Sequence, residues 1–155
     1  MEDHKPHARR LRIGRQSTPN HAYLITTVTH GRTPLFNDHH LARLLIKTLR
    51  HQHESGVVES LAFVVMPDHL HWLIQLTSEY ELSVVIAFTK RMTARHINSH
   101  LNQPGSPVWQ RGFHDHCVRE DEDLRDMAKY IVANPLRAGI VTDIRDYPWW
   151  DAAWL

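Results

Sequence analysis

The sequence is poor in cysteine, with Cys117 alone among 155 residues. A single thiol cannot close an internal disulfide, which excludes a disulfide-stapled scaffold and agrees with a reducing compartment. No apolar run approaches the roughly 20 residues that cross a bilayer, so no membrane partner is expected. The basic N-terminus lacks the apolar stretch of a secretory leader, and a cytoplasmic location is expected. Charge of one sign is also scarce. Eighteen Lys and Arg face 17 Asp and Glu, for a net charge of +1. That is not the overall balance of a strongly basic nucleic-acid binder. The absence of internal repeats and low-complexity segments excludes a solenoid.

What is present fits one domain with a sizeable core, since 42% of the residues are hydrophobic. Charge is unevenly distributed. Residues 1–20 carry Lys5, Arg9, Arg10, Arg12 and Arg15 against Glu2 and Asp3, and residues 88–100 carry Lys90, Arg91 and Arg95 with no acid. Such separate basic surfaces suit a phosphate backbone, although solubility alone would also explain them. Fourteen histidines are many for this length, and spacing has to select the few that bind metal or carry protons.

Hydrophobic periodicity predicts the elements in order. Residues 1–20 read as a basic, flexible arm, 21–150 as the domain and 151–155 as a short tail. The β-branched run at 21–29 predicts a strand. Asn37 or Asp38 caps a helix to about Glu54, with Leu41, Leu44, Leu45, Ile46 and Leu49 as its apolar stripe. Residues 61–66 and 70–76 predict an antiparallel hairpin around Met66-Pro67-Asp68. A second helix is expected over 82–101 and a strand over 112–119. A third helix is expected from the acidic residues 120–123 to about Asn134, stopped by Pro135. The order β-α-β-β-α-β-α predicts an α+β sandwich with helices against an antiparallel sheet.

His69-Leu70-His71 is the sharpest local feature. On a strand, residues two apart share a face, so both imidazoles can reach one metal ion while Leu70 points into the core. His51 and His53 have the same spacing, but on a helix they diverge. His114 and His116 lie on an expected strand and remain competitors. Tyr130 and Asn134 lie four apart and share one helix face. A tyrosine phenol can attack a phosphodiester and become a covalent phosphotyrosine. The same spacing also suits a tyrosine at the core boundary and an asparagine capping the helix end. Trp109 and Arg111, beside Gly112, could stack a base and hold a phosphate, or could simply anchor a loop. The C-terminal tryptophans read as packing residues.

Three runs occur in order: 66–73 (MPDHLHWL), 108–113 (VWQRGF) and 129–139 (KYIVANPLRAG). With Tyr23–Thr29, Leu35-Phe36 and Tyr147-Pro148-Trp149, this set resembles the REP-associated tyrosine transposases over about residues 20–150. These are relatives of single-tyrosine insertion-sequence transposases, in the superfamily named for its histidine-hydrophobic-histidine motif. The resemblance implies a ferredoxin-like or RRM-like sheet with the histidine pair on a central strand. It implies Mg²⁺ or Mn²⁺ held by His69, His71 and Asn134, and Tyr130 as the nucleophile that leaves a 5′-phosphotyrosine and a free 3′-hydroxyl. A bacterial, nucleoid-associated protein is implied, working as monomer or homodimer. The sequence departs from the family at Asp68, where Asn is frequent, at Trp72, where smaller aliphatics are common, and at His114, where Tyr is frequent.

The expected activity is therefore metal-dependent cleavage and transfer of single-stranded DNA beside hairpins of repetitive extragenic palindromes. Arg91, Arg95, Trp109, Arg111, Arg12 and Arg15 are candidate DNA contacts. Two other readings compete. A non-catalytic hairpin-binding module would keep the fold without forming an adduct, and a metal-dependent hydrolase using water would leave Tyr130 without a role.

Overall fold

The computed structural model describes residues 21–77, 79–119 and 122–154. The element order is β1 (Ala22–Val28), α1 (His39–Glu54), β2 (Val58–Met66), β3 (His69–Leu76), α2 (Leu82–His100), β4 (His114–Cys117), α3 (Leu124–Val132), α4 (Asn134–Arg137) and β5 (Trp150–Ala152). The strands form one sheet in the order β4-β1-β3-β2-β5, and every neighbouring pair is antiparallel. This is the expected α+β sandwich. The basic arm expected at 1–20, with Arg12 and Arg15, lies outside the described residues.

Local chemistry sets the element ends. Asp38 caps α1, its carboxylate accepting from the backbone N–H of His40 at 2.8 Å and of Leu41 at 3.4 Å. Asp123 caps α3 in the same way, through the N–H groups of Arg125 and Asp126. Met66 pairs directly with His69, so Pro67 and Asp68 alone make the hairpin turn. The third helix ends at Val132 rather than near Asn134. Pro135 has no N–H to offer the Ile131 carbonyl, so the chain breaks there and resumes as the short α4.

Alternation along β3 splits the interior into two cores. Leu70, Trp72, Ile74 and Leu76 join Ile25, Leu45, Leu49, Val85 and Ile86 beneath α1 and α2. Leu73 faces the other side, with Val64, Ala128, Ile131, Val132 and Tyr147. Trp72 is fully buried in the first core and donates its indole N–H to Ser60 Oγ at 2.9 Å. The Trp72→Ala variant is expected to lose about 3–5 kcal/mol of stability, measured as a shift of the urea midpoint. A loss below about 1 kcal/mol would contradict this packing.

The sequence reading treats residues after 150 as a tail, but β5 continues the sheet across that boundary. Ala152 pairs with Ala62 and Trp150 with Val64. The edge of β2 is otherwise open, and a three-residue strand is too short to show periodicity. The C-terminal tryptophans pack as expected: Trp149 sits edge-on to His39, and Trp150 donates to the Ile144 carbonyl at 3.2 Å.

Candidate active site

His69 and His71 lie on the sheet face opposite α1 and α2, because they share the parity of Leu73. Their ring centroids are 4.8 Å apart and their planes are near perpendicular. Each ring is held through Nδ1. His69 Nδ1–H donates to Asp68 Oδ1 at 2.7 Å, since a carboxylate can only accept. Asp68 is held in turn by the Arg32 guanidinium at 3.0 Å. His71 Nδ1 bonds the Thr26 hydroxyl at 2.9 Å across the β1–β3 pair. Neither bond uses Nε2, and the partners fix the ring orientations.

The electrostatics agree with this arrangement. Partial burial raises the Asp68 carboxyl, but hydrogen bonds from His69 and Arg32, together with their charges, bring it below its ordinary value. His71 is pushed down to about 4, first by burial and then by the charges of His69 and Arg137. A neutral ring is the form that binds metal. By NMR of the metal-free protein, the His71 ring is expected to remain neutral at pH 5.5, where an ordinary histidine of pKa about 6.5 is protonated. Below 6.5 the unfolded chain takes up a proton here that the folded chain refuses until about 4. This contribution to stability is complete above pH 6.5 and is lost as the pH falls from 6.5 toward 4. A His71 titration midpoint near 6.5 would refute the burial argument.

Tyr130 stands on α3, which packs its Ala128, Ile131 and Val132 into the second core over β2 and β5. The residue as a whole is 64% exposed. Arg137 covers one face of it, with Cζ 3.8 Å from the ring centroid. Asn134 is half-buried at the start of α4. The rest of this sheet face is less well covered: Leu24, Thr26, His114 and His116 are only half-buried. This face thus carries two imidazoles and is packed by a helix that bears an exposed phenol with a cation beside it.

Comparison with known proteins places the chain in a family. Residues 17–134 match the family described as "Transposase IS200 like". The chain belongs to the IS200-like transposase family. A Haemophilus influenzae protein named as a REP-associated tyrosine transposase is 28% identical over 144 residues, covering 87% of this chain and 81% of that protein. The REP-associated tyrosine transposase of Escherichia coli is 30% identical over 89 residues, covering 56% and 50%. A solved REP-associated tyrosine transposase bound to a REP hairpin superposes with a TM-score of 0.69 at 24% identity, covering 88% of this chain and 79% of that one. The crystal structure of a Deinococcus radiodurans protein described as a transposase gives a TM-score of 0.56 at 26% identity, covering 78% and 95%.

Against this family background, the candidate residues of the sequence divide. His69, His71, Tyr130 and Asn134 come from β3, α3 and α4. Arg91 and Arg95 do not join them, because α2 covers the opposite sheet face. Trp109 requires correction as a base platform. Its ring is buried against Phe36, and its indole N–H donates to Thr93 Oγ1 at 3.1 Å. Arg111 is exposed in the loop before β4. In the rival pair, His114 lies beside Thr26 on the same face, but His116 Nε2 is paired with Glu122 at 3.0 Å. Among the described residues, no group of three or more His, Cys, Asp or Glu could hold a metal ion.

Sequence reading missed Thr26, the Arg32–Asp68 pair and Arg137. The first needs the strand register, which no local pattern carries. Arg137 did leave a signal: it lies seven residues after Tyr130, two helical turns away.

Proposed function

We propose that this chain cleaves and rejoins single-stranded DNA beside hairpins of repetitive palindromic sequence, through a 5′-phosphotyrosine at Tyr130. The observation that carries the reading is the pairing of two imidazoles, both held through Nδ1, with an exposed tyrosine on a helix packed against the same sheet face. The hairpin preference takes its support from the similarity to REP-associated tyrosine transposases, one of them solved bound to a REP hairpin.

His69 and His71 would hold Mg²⁺ or Mn²⁺ with the amide oxygen of Asn134. Two nitrogens and one oxygen leave positions for water and phosphate oxygens, which fits a divalent cation of this kind. When bound, the ion withdraws negative charge from the scissile phosphate. Tyr130 Oη attacks phosphorus and loses its proton to water in the open cleft. The P–O3′ bond breaks, and the 3′-oxygen leaves with the electron pair and takes up a proton. The phosphotyrosine conserves the bond energy, so another 3′-hydroxyl can reverse the step and join strands without ATP. Asp68 and Thr26 keep the imidazoles oriented throughout. Monomer and dimer are both compatible with this chemistry.

The test is incubation with labelled single-stranded hairpin oligonucleotides and Mg²⁺ or Mn²⁺, followed by denaturing electrophoresis. A metal-dependent protein–DNA band that survives denaturation supports the reading. Tight hairpin binding without such a band, across several hairpins and both metals, favours a non-catalytic module instead.

A further inference from the structure

Arg137 is exposed, and among the described residues no carboxylate pairs with it. That sets it apart from Arg32, Arg119 and Arg145, which each meet an acid. Its guanidinium stands over the Tyr130 ring, with Cζ 3.8 Å from the ring centroid. One cation therefore stands directly on the face of the exposed tyrosine, although the two residues belong to different helices.

The local fold produces this placement. Ala133, between α3 and α4, keeps helical dihedrals (φ −79°, ψ −1°), so the Pro135 break does not turn the chain aside. Arg137 returns to the side of Tyr130 two turns on. Gly139, at φ 73°, then ends α4, its N–H bonding the Leu136 carbonyl. A ring face binds the flat of a guanidinium and leaves its N–H groups at the edge to donate. A phosphate meeting the phenol oxygen lies toward that edge.

We propose that Arg137 is a catalytic residue, its guanidinium holding a non-bridging oxygen of the scissile phosphate against Tyr130. The inference rests on the tyrosine reading above. As Tyr130 Oη bonds to phosphorus and the P–O3′ bond breaks, charge gathers on the non-bridging oxygens. Arginine meets it with two parallel N–H donors, which lysine cannot reproduce. The contact with the ring also keeps the phenol aimed at the phosphate before attack.

The experiment is single-turnover adduct formation with a hairpin oligonucleotide in Mn²⁺, using wild type, Arg137→Ala and Arg137→Lys. The Ala variant is expected to slow the step by about 10²–10³-fold, with the Lys variant intermediate. Hairpin affinity and melting temperature should change little. The decisive readout replaces each non-bridging oxygen of the scissile phosphate by sulfur, a poor hydrogen-bond acceptor. One diastereomer should slow the wild type and add no further penalty in Arg137→Ala. A penalty that persists unchanged in Arg137→Ala, or adduct formation at the wild-type rate in that variant, overturns the role of Arg137 and leaves Tyr130 untouched. Absence of any adduct in the wild type removes both.

Discussion

Tyr130→Phe is expected to abolish the covalent protein–DNA adduct while leaving fold and hairpin binding intact. The loss should be at least about 10⁴-fold, the scale seen when an enzyme loses its nucleophile. Stability should change by less than about 0.5 kcal/mol, because the residue is 64% exposed and only its hydroxyl is removed. The ring itself remains beneath Arg137. Tyr80→Phe is a suitable control. Tyr80 is 58% exposed and lies outside the site, so that variant should retain the adduct. Denaturing electrophoresis reads both outcomes. An undiminished adduct in Tyr130→Phe would sink the mechanism, and its loss in Tyr80→Phe as well would point to general damage.

Removing the imidazoles should have the next largest effect. His69→Ala and His71→Ala are each expected to weaken Mn²⁺ binding by more than about 100-fold, with cleavage falling in step. Thr26→Val and Asp68→Ala touch only Nδ1 and should cost about 10–100-fold each. Paramagnetic titration of free Mn²⁺ measures affinity without any DNA present. Retention of full affinity in the double histidine variant, with its loss in His114→Ala, would move the metal to β4. The occupied Nε2 of His116 argues against that outcome.

Much of this arrangement was legible in the sequence because it depends on period. Alternation along β3 separates His69 and His71 from Leu70 and Trp72, and the structure keeps that division. Helical spacing places Ala128 and Ile131 inward and Tyr130 outward. Long-range geometry was not legible. Trp109 stands among Gln110, Arg111 and Gly112, which suggests exposure. Its burial depends on a bridge to Thr29 and on the Thr93 hydroxyl, 16 residues earlier. Thr26 meets His71 only through the register of two strands 45 residues apart. α3 ends at Val132, about two residues short of the expected Asn134, because Pro135 affects the turn before it as well as its own.

The short strand β5 gives the last residues of the sequence a reach beyond their own edge. It extends β2 outward, and α3 rests on both strands. Tyr147 donates its hydroxyl to the Val65 carbonyl beneath the same helix. The platform under the tyrosine is thus assembled from two stretches of chain, β2 and the residues from Tyr147 to Ala152, that lie 82 residues apart at the Tyr147–Val65 bond. A ribosome-bound chain that has already formed its histidine-bearing hairpin still lacks the outer sill on which the Tyr130 helix rests until β5 follows, so the two halves of the site mature in order.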